Sequence, residues 1–164
     1  MRWPRRPAFA ERHAEFAELP EFGARRRMAA GVAWFATHRW RCNGFIAPSW
    51  MMGPGAWEAL DRFAFDYTAT SSALVCLPTH HRVPAPCLAY SARDPIRRAL
   101  SRSWMAALAL MTAQTPLLRL ALHPGDAARA AQRRMLQRRV ATLLESRAAA
   151  TLAAAVGAFA APRG

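Results

Sequence analysis

The chain has 164 residues, 23 of them basic and 10 acidic, for a formal net charge of +13; that length makes one domain with a moderate core, short of the roughly 200 to 250 residues of a complete (β/α) barrel. Its basic residues other than histidine are all arginine and alanine is abundant, which points to codon bias more than to a surface selected for polyanions, so nucleic acid is not the favoured partner. Three cysteines with no C-x-x-C pair exclude a disulfide framework, and no apolar tract reaches the roughly 20 residues of a bilayer span, so the expectation is a cytoplasmic protein without a transmembrane segment.

The opening MRWPRRPAFAERHAEF lacks an apolar core of signal-peptide length. Residues 1–12 hold two prolines and four arginines without periodicity and read as a flexible basic arm. Residues 13–146 form the expected domain, and 147–164 an Ala-rich helix or tail. Pro20 or Glu21 opens a helix to about His38, with Met28, Val32 and Phe35 as its apolar stripe and Arg25, Arg26 and Arg27 as its wet side. Trp40 to Asn43 then leads into a short apolar strand, Gly44 to Ala47, which Pro48 ends because it has no N–H for a sheet ladder.

Beyond that stop lie Ser49, Trp50, Met51 and Met52, a Gly53-Pro54-Gly55 turn, and a short helix from about Ala56 to Phe63. In a parallel α/β arrangement ligand-binding groups collect after the carboxyl ends of strands. Pro48, Ser49 and Trp50 are therefore candidate substrate-binding residues. Strands are expected at Phe65 to Ala69, Ala73 to Leu77 and Pro86 to Ser91, with Thr70-Ser71-Ser72 between the first two and a turn-rich connection from Pro78 to Pro84, a section that reads as a hairpin-like insertion or as closely spaced strands. Asp94-Pro95 starts a helix that runs to about Thr112. Leu117 to Leu122 is a strand with His123-Pro124-Gly125 at its end, and Asp126 caps a helix to about Ser146 whose Leu136, Val140 and Leu143 face inward.

This order predicts an α/β fold: a partial, irregular (β/α) barrel-like domain with a mainly parallel sheet flanked by helices. The Gly44 and Leu117 strands would share the sheet, and the Pro48–Trp50 segment and His123 one rim of it. His123, in a turn after a strand, is a candidate acid–base residue as well as a candidate structural cap. His80-His81 offers imidazoles near Cys76 and Cys87, but neighbouring side chains in an extended loop diverge and no carboxylate is close in sequence, so no metal site is assigned. Trp57 and Trp104 read as core.

GFIAPSWMMGPGAWEAL from Gly44 to Leu60, followed by FDYTAT from Phe65 to Thr70, resembles the third motif and following βα unit of the polysaccharide deacetylases, in a poorly characterised branch. LLRLALHPGD, from Leu117 to Asp126, is similar to the family's last motif. The resemblance implies removal of N- or O-acetyl groups from carbohydrate, with His123 as the general acid that protonates the leaving group. It also implies a divalent metal such as zinc, held by an Asp and two His, with a further Asp as base. The Thr-Phe-Asp-Asp-Gly and His-x-x-x-His motifs that supply those ligands do not occur in this sequence, and Ile46 stands where the third motif usually carries Arg. The expectation is a truncated or degenerate deacetylase-like protein, inactive alone, with a carbohydrate ligand, no cofactor in this chain, and a complementing chain or oligomer as partner. The alternatives are a non-enzymatic basic module for nucleic acid or an anionic surface, and a fragment with no function of its own.

Overall fold

The computed structural model describes residues 15–89, 115–122 and 130–160. The arm at 1–12, His13, the helix expected from Asp94 to Thr112 with Trp104, His123 and the Asp126 cap lie outside the described residues. Two compact units are present, one from described residues up to Val83 and from Ala153 onward, the other between Pro84 and Leu152.

The described part of the first unit opens on a single 3-10 turn, Glu15–Ala17, and helix α1, Glu21–Thr37. Glu21 sits in the first turn, where a carboxylate meets the positive end of the helix dipole. Ala24 and Met28 are buried and Val32 packs against the core they help form. These positions recur at every fourth residue, so one stripe faces inward. Arg25, Arg26 and Arg27 are exposed as expected, and Arg27 Nη1 reaches Glu15 Oε2 at 2.8 Å. Helix α2, Pro54–Leu60, lies against α1. Its Ala56, Ala59 and Leu60 are fully buried; small side chains let the two backbones come close.

The glycines ahead of α2 carry that closeness further. A methyl on Gly55 would lie 2.5 Å from the Glu21 nitrogen and 2.6 Å from the Leu19 oxygen, and one on Gly53 would strike the Ala17 carbonyl. Gly53-Pro54-Gly55 is thus a seat for the chain between Ala17 and Glu21, as well as the expected turn.

Strands β1, Gly44–Phe45, β2, Tyr67–Ala69, β3, Ala73–Cys76, and β4, His81–Pro84, form a four-stranded sheet in that order. β1 runs parallel to β2, pairing Gly44 with Tyr67. β3 runs antiparallel to β2, with Thr68 opposite Val75. All four β3 residues are buried. Phe16, Phe45, Phe65 and Phe63 make a chain of ring contacts at 4.8, 6.2 and 5.3 Å beside this sheet. Helix α4, Leu152–Ala160, buries Ala155 and Val156.

In the second unit β5, Cys87–Ala89, pairs in parallel with β6, Arg119–Ala121. Leu88 is the centre of a small core with Leu118, Leu120, Met135 and Leu143. The last two come from helix α3, Ala130–Leu144, where Leu136 is buried, Val140 half-buried and Arg133, Arg134 and Arg138 exposed. Arg119 is buried and its Nε donates to the Ala85 carbonyl at 2.8 Å.

The fold is mixed α/β, with two corrections to the sequence reading. The Gly44 and Leu117 strands, expected in one mainly parallel sheet, belong to separate sheets among the described residues, and the larger sheet is mixed. The short link between β2 and β3 closes a hairpin, whereas a parallel connection needs a crossover of about a dozen residues or more. The connection expected from Pro78 to Pro84 contains β4, where buried Val83 lies between exposed Arg82 and Pro84.

Candidate functional site

After β1 the chain buries Ala47 and enters a 3-10 turn, Pro48–Trp50. The Trp50 N–H donates to the Ala47 carbonyl at 2.9 Å and the Met51 N–H to Pro48 at 3.3 Å. Pro48 is well placed at the start of this turn, its fixed φ matching the first helical position. Ser49 and Trp50 both take left-handed backbone, each at φ 56°. For L-residues that conformation costs about 1–2 kcal/mol apiece, more readily tolerated by Asn, Asp or Gly than by Trp. The turn holds two such residues in succession.

This strained turn forms part of the wall of a cavity of about 450 Å³. Ser49, Trp50, Met51, Met52 and Gly53 line it from the loop, Trp57 from α2, Thr70 and Ser71 from the β2–β3 hairpin, and Arg82 from β4. The Arg82 guanidinium lies over the Trp57 ring at 5.9 Å from its centre. Trp57, expected in the core, does double duty: it packs against the core cluster and also faces the cavity. The Thr70 hydroxyl accepts the Ala73 N–H at 3.1 Å, which fixes the hairpin tip. Aromatic faces, thioethers, hydroxyls and one guanidinium are thereby gathered in one concave surface, suited to a ligand with an apolar face and hydrogen-bonding edges.

Of the expected site residues, Ser49 and Trp50 line the cavity and the exposed Pro48 shapes the turn without lining it. His123 lies outside the described residues. Sequence reasoning missed Arg82, Thr70 and Ser71, which reach the site through strand pairing; no local pattern marks them. His80 Nε2 and Asp61 Oδ1 are 2.8 Å apart, with about half of each side chain exposed. The His80 ring is 6.1 Å from that of Trp57, so this pair borders the aromatic wall from outside the cavity.

Burial raises the thiol pKa of Cys76. Burial also raises that of the Tyr67 phenol, reinforced by Cys42 and Asp66. Among the described residues no group of three or more His, Cys, Asp or Glu gathers as metal ligands do, and no helix is long and apolar enough to cross a membrane. Comparison with protein-family models, curated proteins and solved structures finds no match to this chain.

Proposed function

We propose that the first unit is the ligand-binding part of a degenerate polysaccharide deacetylase-like domain, a remnant of a (β/α) barrel-like arrangement, and that its cavity binds a sugar ring of an acetylated polysaccharide without hydrolysing it. The observation that carries the reading is the pair of left-handed residues, Ser49 and Trp50, in the cavity wall. Backbone strain of this kind persists where the surroundings over-determine it, and it clusters at ligand sites. Trp50 and Trp57 offer rings for the apolar face of a pyranose, while Ser49, Ser71 and Arg82 offer polar groups for its hydroxyl and carbonyl oxygens.

The divalent metal of the intact family does not fit this cavity. Its described lining supplies hydroxyls, thioethers and a guanidinium, and not the imidazole and carboxylate set such an ion takes. No hydrolytic step is assigned to it; in this reading deacetylation belongs to a complementing chain. The free cysteines, with Cys76 buried, agree with a cytoplasmic setting.

The test is titration calorimetry with partly acetylated chito-oligosaccharide and acetylxylan fragments. Trp50→Ala and Trp57→Ala are expected to weaken binding about tenfold or more, the loss that follows from one well-buried aromatic contact. Undiminished binding in both variants would overturn the site. Acetate release that requires added zinc or cobalt and disappears in His123→Ala would overturn the binding-only reading.

A further inference from the structure

We infer that the carboxyl end of α1 is a docking surface for an anionic lipid bilayer. Trp34 and Trp40 are 52% and 56% exposed, and they lie together with ring centres 5.5 Å apart. Phe35 and His38 complete the group: His38 is 4.3 Å from Trp34 and 5.1 Å from Trp40, and Phe35 6.1 Å from Trp40. A patch of this kind on a small protein marks an interaction site, since solvent exposure of large apolar rings gives nothing back.

The patch is built, not incidental. Arg39 takes left-handed backbone at φ 55°, and the Trp40 N–H then donates back to the Phe35 carbonyl at 3.0 Å. His38 Nδ1 lies 2.8 Å from the Trp34 carbonyl oxygen, which holds its ring beside that of Trp34. The chain reverses at the helix end and lays Trp40 against Trp34. An ordered cluster loses little side-chain freedom when it docks.

Charge says what it docks on. Between Glu21 and Glu58 the sequence has no acidic residue and five arginines. Two of them, Arg39 and Arg41, flank Trp40 and are exposed, and neither has an ion-pair partner among the described residues. Behind the rings, α1 from Met28 to Thr37 carries no charge, and its exposed Ala29, Ala30, Ala33 and Ala36 make a smooth apolar flank. Tryptophan at the headgroup level, small apolar residues beside it and arginine at the rim match the interfacial zone of a membrane with acidic lipids. Single-stranded nucleic acid fits less well. The Trp34 and Trp40 planes meet at 76°, so they present no parallel stacking platform, and the alanine flank offers nothing to phosphates.

This surface is separate from the sugar cavity, and neither reading depends on the other. The experiment is cosedimentation of the full chain with phosphatidylcholine vesicles with and without phosphatidylserine. Binding is expected only with the acidic lipid. It should fall about tenfold or more in Trp34→Ala/Trp40→Ala and roughly fivefold for each arginine removed in Arg39→Gln/Arg41→Gln, weakening with salt. The second variant leaves the ring cluster intact, so a folding defect in the first does not decide the matter. The same charge change at exposed Arg134 and Arg139 on α3 is expected to alter binding by no more than about twofold. Equal losses at the two arginine pairs would reduce the effect to net charge and overturn the docking site. Full binding by both patch variants would do the same, as would a wild type that holds a single-stranded oligonucleotide but not vesicles.

Discussion

Adding one methyl group at Gly53 should damage both the fold and the sugar site. The new carbon would meet the Ala17 carbonyl, and backbone cannot swing clear as a flexible side-chain tip can. Relief requires the Glu15–Ala17 turn to back away from the start of α2, stretching the 2.9 Å bond from the Gly53 N–H to the Phe16 carbonyl. Overpacking costs about 1–3 kcal/mol and a weakened hydrogen bond about 1 kcal/mol more, so Gly53→Ala is expected to lose about 2–4 kcal/mol. With a urea slope of about 2 kcal/mol per molar, the midpoint falls by about 1–2 M. Gly31→Ala is the control: a methyl there meets no atom of the described residues within 4 Å, the site is a helix interior, and the variant should gain about 1 kcal/mol. Urea unfolding followed by tryptophan fluorescence and circular dichroism reads both. A Gly53→Ala midpoint within about 0.3 M of wild type, equivalent to well under 1 kcal/mol, would refute the close-approach reasoning.

Ser49→Gly should raise stability by about 1 kcal/mol in a thermal melt, because glycine takes the left-handed conformation without strain. It should weaken sugar binding at the same time, and a gain in both would separate the strain from the site. Thr68→Val should stabilise by about 1–2 kcal/mol, since the Thr68 hydroxyl is fully buried without a hydrogen-bond partner among the described residues and valine has nearly its shape. A destabilised variant would mean that the hydroxyl has work to do. The raised pKa values of Cys76 and Tyr67 mean that the unfolded chain releases these protons at lower pH than the folded one. Their contribution to stability is therefore fully present below the ordinary thiol range and is lost as pH rises through it and on through the phenol range. Urea midpoints from about pH 7 to about pH 10 should decline, and a flat profile would contradict the burial of both groups.

Much of the fold was legible locally. α1 shows in the spacing of Met28 and Val32, β1 in the apolar run that opens at Gly44, although it ends at Phe45 and not at Pro48, and the β2–β3 hairpin in Thr70-Ser71-Ser72 between apolar runs. The mixed α/β class follows from that alternation. Which strands share a sheet was not legible, because pairing is decided by tertiary packing; β1 and β6 look alike in sequence and belong to different sheets. β4 was hidden because its single buried residue, Val83, sits among histidine, arginine and proline. In the site, Ser49 and Trp50 were visible as a loop after a strand, but their left-handed backbone was not, since neither side chain favours it. Trp57 reads as core by composition, and only its place opposite Arg82 shows the face it gives to the cavity.

The interrupted course of the first unit has a consequence for biosynthesis. The segment from Ala153 onward belongs to the same unit as the residues up to Val83, yet it leaves the ribosome well after them. About seventy residues intervene, a wait of roughly 3 to 14 s at translation rates of about 5 to 20 residues per second. During that time the partner positions for Ala155 and Val156 have no occupant from their own chain. The first unit thus has to persist as an incomplete nascent body until that segment emerges.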